Sequence, residues 1–295
     1  MDFRDQVFLS VTENLSFSKA SKELFISQPA VTNHIKELEN KLDTRLFERK
    51  GNKIYLTNSG ELVYRHLKAI KHSYRDLEFE LGQLNQQFKG RLNLAASSTI
   101  SQYIIPKVLA DFNKRYPEIQ IYLYNGNSFE VEQKLLNNEV DLALVENDSS
   151  QANLNYNTFL DDELIVIASA NSVYSKRKFI SVTDFLEIPV VLREKGSGTL
   201  EVINNALSKN NIDIEKLNIF IHLGSTESIK NFLFNFEGIA IVSEKAVERE
   251  LHQKTLIKLA IKNLILNRKL RYIQRKGPGL SMPKLFIKYL LGYNF

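Results

Sequence analysis

Between Val63 and Phe88 the apolar residues Val63, Leu67, Ile70, Tyr74, Leu77, Leu81, Leu84 and Phe88 recur at alternating steps of four and three. A heptad stripe held for more than three repeats describes a long helix that pairs along a seam, because each turn returns one apolar side chain to the same face. No second long amphipathic helix follows that could cover the seam from within the chain, so a second copy is the expected partner. The stripe assigns dimerisation to Val63, Leu67, Ile70, Tyr74, Leu77, Leu81 and Leu84. It also divides the 295 residues into three parts: 1–58, a rod over 59–89 that Gly90 is expected to end, and 90–295.

The part before the rod carries a second pattern. Residues 2 to 14 read as a short helix. SFSKASKELFISQPAVTNHIKELENKL then reads as two helices joined at Phe25 to Ser27. Ser18 is the expected cap of the first, with Ala20 and Leu24 facing inward. Ser27 caps the second, and Pro29 falls in its first turn, where a missing N–H costs nothing. Val31, Ile35, Leu38 and Leu42 form one apolar stripe. The outward face keeps Gln28, Thr32, Asn33 and Lys36, side chains able to read hydrogen-bonding edges.

Two helices joined so tightly, the second presenting amides and a lysine from its N-terminal half, match a helix-turn-helix entering the major groove. Gln28 and Asn33 suit adenine, Thr32 can donate or accept, and Lys36 can reach guanine or phosphate. An ordinary helical hairpin would share the apolar stripe but has no need of that polar face. RLFERKGNKIYLT follows, alternating on either side of Lys50-Gly51-Asn52-Lys53. It predicts a hairpin wing that sets Arg49, Lys50 and Lys53 against the DNA backbone or minor groove. Bulk charge adds little: residues 1–90 hold 14 Lys and Arg against 12 Asp and Glu, within a net charge of +5. The DNA reading rests on pattern.

The combination SQPAVTNHIKELE, LFER.G and LT..G, followed by the long helix, resembles the LysR-type transcriptional regulators along the whole chain. The resemblance places Ser27, Gln28, Pro29, Ala30, Thr32, Asn33 and Lys36 at the start of a recognition helix. It makes the segment beyond Thr57 a dimerising linker helix. Double-stranded promoter DNA becomes the expected partner, with RNA polymerase a further candidate and a homodimer or homotetramer the expected assembly.

Residues 91–295 alternate short apolar strands with helices. RLNLAA, EIQIYLY and VDLALVE form one set; ELIVIAS, PVVL, NIFIHL and GIAIV form another. The chain then returns through LRYIQR to a last helix from Ser281 to about Leu291. Such alternation predicts a mostly parallel sheet covered on both faces, in two α/β lobes, about 90–161 with 267–295 and about 162–266. Ser97-Ser98-Thr99, Gly196-Ser197-Gly198-Thr199 and Gly224-Ser225-Thr226 follow strands and open helices. Simple capping would explain any one of these clusters. Three converging at strand ends would make an anion site.

The family resemblance agrees, since it implies a periplasmic-binding-protein-like (type 2) effector domain with its inducer between two lobes. SSTISQYIIP, VDLALVE and GSTESIK look like the subgroup of regulators of cysteine synthesis and sulphur assimilation. On that resemblance Ser97, Ser98, Thr99, Ser197, Thr199, Ser225 and Thr226 contact a small anionic metabolite, with Glu146 and Arg193 near the cleft.

Other classes fare poorly. There is no cysteine for disulfides, thiolate metal sites or redox sensing, and no apolar run of membrane-spanning length. The N-terminus lacks the pattern of a secretory signal, so a cytoplasmic protein is expected. No HExxH, G-x-S-x-G or P-loop motif is present, and the five histidines are scattered. His34 reads as a packing or phosphate neighbour and His222 as a core residue. No enzyme, cofactor or metal is expected. The competing view is an architectural DNA-binding protein whose α/β domain only assembles the oligomer.

Overall fold

The computed structural model describes every residue except Asn52, Lys178, Lys262, Asn263, Ile265 and Pro278. Two compact units emerge, Met1–Phe88 with Asn137–Glu139, and Lys89–Leu136 with Val140–Phe295.

In the first unit three short helices, α1 (Phe3–Asn14), α2 (Phe17–Glu23) and α3 (Gln28–Leu42), surround a small core. Val7, Phe8, Val11, Ala20, Val31, Ile35, Leu38 and Leu46 are buried there. Ser16, not Ser18, caps α2: its hydroxyl accepts from the Lys19 amide at 3.2 Å, because the helix starts one residue before the expected cap. Ser27 caps α3 as its spacing suggests, accepting from Ala30 N. Leu42 departs from the inward stripe; it is the last helical residue, beyond the core, and is exposed.

Strands β1 (Phe47–Lys50) and β2 (Lys53–Leu56) pair antiparallel as the wing. Asn52, in the expected tip, lies outside the described residues. Glu39 on α3 accepts from the amides of Leu46 and Phe47, tying the wing to that helix.

The linker helix α4 (Asn58–Leu84) starts on a Thr57 cap that also donates to Arg45 O at 2.7 Å. Gly60 is required there, since a Cβ would sit 2.1 Å from the Leu46 carbonyl oxygen. The helix ends at Leu84, six residues before Gly90, and Phe88 lies past it with its ring 6.5 Å from Phe79. Leu67 is buried and Val63 half-buried in the first unit's own core. The rest of the seam, Ile70, Tyr74, Leu77, Leu81 and Leu84, is exposed, rising to 81% at Leu84.

The second unit is built on one sheet. Strand β3 (Gly90–Ser97) pairs in parallel with β4 (Ile119–Gly126) and β5 (Leu142–Val145). On the other side β8 (Val190–Arg193) pairs in parallel with β9 (Ile219–Leu223) and β10 (Ile239–Ser243). Two long strands, β6 (Leu154–Ser169) and β12 (Leu266–Arg275), run antiparallel between these halves. The short β7 (Phe179–Ile180) and β11 (Leu256–Ile261) extend the sheet from β6. A mostly parallel sheet is therefore not what forms. The sheet is mixed because β6 begins at Leu154, nine residues before ELIVIAS, and crosses from one half to the other.

Helices cover both faces. A π-helical turn (Ile100–Ile104) leads into α5 (Ile105–Arg115), and α6 (Ser128–Leu136) joins β4 to β5. In the second half lie α7 (Val182–Glu187), α8 (Gly198–Lys209), α9 (Thr226–Leu233) and α10 (Glu248–His252); α11 (Ser281–Leu291) closes the chain by packing Phe286 and Tyr289 around Phe112. Among the described residues no helix is long and apolar enough to cross a membrane.

Candidate functional site

The register of the sheet decides which loops meet. Ala96 of β3 pairs with Leu144 of β5, so Ser97 and Glu146 emerge at the same edge. Arg193 of β8 pairs with Leu223 of β9, which sends Gly224-Ser225-Thr226 out beside it. These are the carboxyl ends of parallel strands, where open α/β sheets hold ligands.

Glu146 occupies the centre and is 1% exposed. Its Oε2 accepts from Ser97 Oγ at 3.0 Å in one half, its Oε1 from Thr199 Oγ1 at 2.9 Å in the other. Arg268 Nη1 lies 3.4 Å from Oε1 and donates to Thr199 Oγ1 at 2.9 Å. The guanidinium is held in turn by Asp162, which accepts from Arg268 Nε at 2.7 Å and from Ser243 Oγ at 2.8 Å. Burial acts to raise the Glu146 pKa, but Arg268, Arg193 and the hydroxyls of Thr99 and Thr199 outweigh it and hold the carboxyl below its ordinary value. The site therefore contains a carboxylate of its own, and Ser97 and Thr199 are engaged in orienting it.

Arg193, also 1% exposed, directs Nε and Nη2 onto the Glu194 carboxylate at 2.8 and 2.9 Å and leaves Nη1 buried without a partner. Ser98 Oγ, Ser128 Oγ, Ser197 Oγ and Gln102 Oε1 are likewise buried and unpartnered. Buried polar groups are almost always satisfied, so these unmet ones, which follow the strand ends in sequence, set the region apart from the rest of the interior. Gly198 lets the start of α8 pack closely against the other half of the sheet. A Cβ there would come within 2.8 Å of Ser128 Oγ, Glu146 Cγ and the Asn147 amide nitrogen.

Two contacts bridge the halves at the rim of this region. Tyr103 donates to Glu227 Oε1 at 2.6 Å, and Glu201 accepts from the Asp148 and Ser149 amides and the Ser149 hydroxyl. Burial and the Glu227 contact both push the Tyr103 phenol well above its ordinary value. Thr226 is buried, but Ser225 Oγ is used as the α9 cap, accepting from Ser228 N at 3.1 Å. His222 differs from its core assignment: it is exposed, because β9 ends the sheet, and its Nδ1 lies 2.9 Å from Arg193 O.

On the first unit, Gln28, Pro29, Asn33 and Lys36 are exposed and border one shallow concavity with Thr32; Ala30 is half-buried. Gln28 Oε1 accepts from Ser18 and Asn33 Nδ2 donates to Glu37. In the wing Arg49, Lys50 and Lys53 are exposed, with Lys50 Nζ 2.8 Å from Glu48. His34 packs edge-on against Phe3, and no cluster of metal-ligating side chains exists among the described residues.

The bacterial regulatory helix-turn-helix protein, lysR family, matches residues 5–61, and the LysR substrate binding domain matches residues 85–292. The transcriptional regulator CysL of Bacillus subtilis is 32% identical over 91% of this chain and 89% of its own. The transcriptional activator CmpR of Synechocystis is also 32% identical, over 98% and 94%. The Synechocystis CcmR regulatory domain, solved in complex with 2-PG, superimposes at TM-score 0.62 with 31% identity, over 69% of this chain and 96% of that one. Full-length CbnR with its target DNA shares the fold at TM-score 0.70 and 17% identity, over 98% and 99%. With a helix-turn-helix of that family at its N-terminus and the matching substrate-binding domain behind it, the chain belongs to the LysR family of transcriptional regulators.

Proposed function

We propose that the protein binds promoter DNA as a dimer or tetramer and that a small anionic metabolite, held where the two halves of the sheet meet, alters that binding. Gln28, Thr32, Asn33 and Lys36 read base edges; Ser27, Pro29 and Ala30 set the start of the recognition helix; Arg49, Lys50 and Lys53 hold the backbone. The exposed part of the seam, from Ile70 to Leu84, pairs two linker helices. RNA polymerase is a further partner of a promoter-bound regulator.

The observation that carries the ligand reading is the buried Arg193 Nη1 without a partner, together with the unmet buried hydroxyls of Ser98 and Ser197 in the segments that follow strands β3 and β8. A buried guanidinium edge left open costs free energy that an oxyanion recovers. Thr99 and Thr226 complete the walls, and Ser225 shapes the α9 turn. Ser97, Thr199 and Glu146 form the polar floor. The 2-PG complex of the CcmR domain supports a small ligand in a domain of this kind.

Thermal unfolding of the full chain against small anions tests this. A ligand at 100 times its dissociation constant adds about 2.7 kcal/mol. Stabilisation in the wild type that Arg193→Met loses is expected; equal stabilisation of both proteins would remove the anion from this cleft.

A further inference from the structure

Arg193, Ser98 and Ser197, which carry the unmet polar atoms, are 1%, 4% and 3% exposed. A solute reaches them only if the two halves of the sheet part, and the bonds between the halves are unequal. At the floor Glu146 ties Ser97 to Thr199 with all three buried, where a broken bond strands polar atoms out of reach of water. At the rim Glu201 accepts three bonds, from the Asp148 and Ser149 amides at 3.1 and 2.6 Å and from the Ser149 hydroxyl at 3.0 Å. The segment it grips is pinned in turn by Arg271, which donates to the Asn147 and Ser149 carbonyls. The other rim contact is one bond, from the Tyr103 phenol to Glu227 Oε1 at 2.6 Å. Tyr103 is half-buried and Glu227 exposed, so water replaces that bond when it breaks.

Glu227 is held ready for it. Lys230, one turn along α9 and 5% exposed, donates to the same Oε1 at 2.7 Å, to Glu250 Oε1 at 2.8 Å and to the Ala246 carbonyl at 3.2 Å. Those three bonds use all three ammonium protons within one half of the sheet. Lys230 Nζ also lies 5.1 Å from the centroid of the Tyr103 ring. The acceptor therefore stays in place when Tyr103 leaves. Tyr103 itself belongs to the π-helical turn Ile100–Ile104, a rare element that recurs at functional sites and here begins directly after Thr99. Glu227 directly follows Thr226, so the bond joins the segments assigned to the cleft walls of both halves.

Resting on the cleft reading above, we propose that the Tyr103–Glu227 bond is a latch on the effector cleft, which breaks to admit a ligand and re-forms over it, and that Lys230 positions Glu227 for this. Since the bond is the same before and after entry, it sets how fast a ligand enters and leaves.

The chain has no cysteine, so a single introduced thiol reports opening. Ser98→Cys forfeits no hydrogen bond, because Ser98 Oγ makes none. The probe is sulfonatoethyl methanethiosulfonate, an anionic thiol reagent, added to the full chain. Val191→Cys, at a position 0% exposed in the sheet, reports global unfolding. Where closing outpaces labelling, the rate follows the opened fraction. Adding Tyr103→Phe to Ser98→Cys should speed labelling about tenfold, the factor that corresponds to one hydrogen bond to a charged group. Labelling of Val191→Cys should stay unchanged. Lys230→Met should also speed labelling at Ser98→Cys, and should add nothing once Tyr103→Phe is present. The latch is overturned by Ser98→Cys labelling as fast as an exposed thiol, by no acceleration in Tyr103→Phe, or by equal acceleration at Val191→Cys. An unchanged rate in Lys230→Met, or a full further effect on top of Tyr103→Phe, removes its positioning role. Labelling reads opening whether or not an effector binds, so failure of the latch leaves the Arg193→Met test of the anion site standing, and the reverse also holds.

Discussion

Ser97 and Thr199 converge on one point from opposite halves of the sheet, and what they meet there is a protein carboxylate. Holding Glu146 ionised in a buried site ties its charge to folding. Its carboxyl lies below the ordinary value in the folded state, so this contribution is complete at pH above the ordinary carboxylate range and is lost as pH falls through the depressed value. Glu146→Gln should thus be less stable than the wild type at neutral pH, with the gap closing on acidification in parallel urea titrations. A gap that is constant with pH would show that the charge is not what matters. For DNA, Asn33→Ala or Gln28→Ala should cost about 1–3 kcal/mol of discrimination at particular base pairs. Equal losses on every sequence would assign these residues to phosphate. The clusters around Ser98, Ser197 and Thr226 were legible because small hydroxyl residues follow apolar strands. Arg268 was not, although it holds Thr199 and Glu146. Its partner Asp162 lies 106 residues away and is reached only through the β6–β12 register, which no local pattern encodes.

At the scale of elements, the linker helix divides into two kinds of apolar residue that periodicity alone cannot separate. Leu67 is buried within the first unit, whereas Leu77 and Leu81 are about half exposed. Leu67→Ala should lower the stability of the DNA-binding unit by about 2–5 kcal/mol. Leu77→Asp should leave folding nearly intact and shift sedimentation toward the monomer. A Leu77→Asp protein that remains fully assembled would place the seam elsewhere. In the wing, Lys50→Ala should weaken DNA binding broadly and flatten its salt dependence; an unchanged slope would take the wing out of the contact. The helix-turn-helix, wing and linker could be read from the sequence because caps, turns and heptads are local. The mixed sheet could not: β6, at 16 residues, is more than twice the length of β10 and β11, and its first half lacks the dense apolar run that marks ELIVIAS.

Across the whole molecule, a cleft that spans the sheet halves can report its occupancy because contacts across it change together. Tyr103–Glu227 and Glu201 with the 148–149 backbone join the halves at the rim, while Glu146, Thr199 and Arg268 join them at the floor. A ligand that alters their spacing has a coupling free energy with whatever the second unit positions, and the coupling is reciprocal: DNA must change the ligand's affinity by the same factor. The direct test is a footprint on a DNA site selected from random sequence by the full chain, with and without an anion that stabilises it. The account predicts that the anion changes the extent or affinity of the wild-type footprint and leaves that of Arg193→Met unchanged. A wild-type footprint identical with and without the bound anion would contradict it, and would make the α/β domain an assembly module alone.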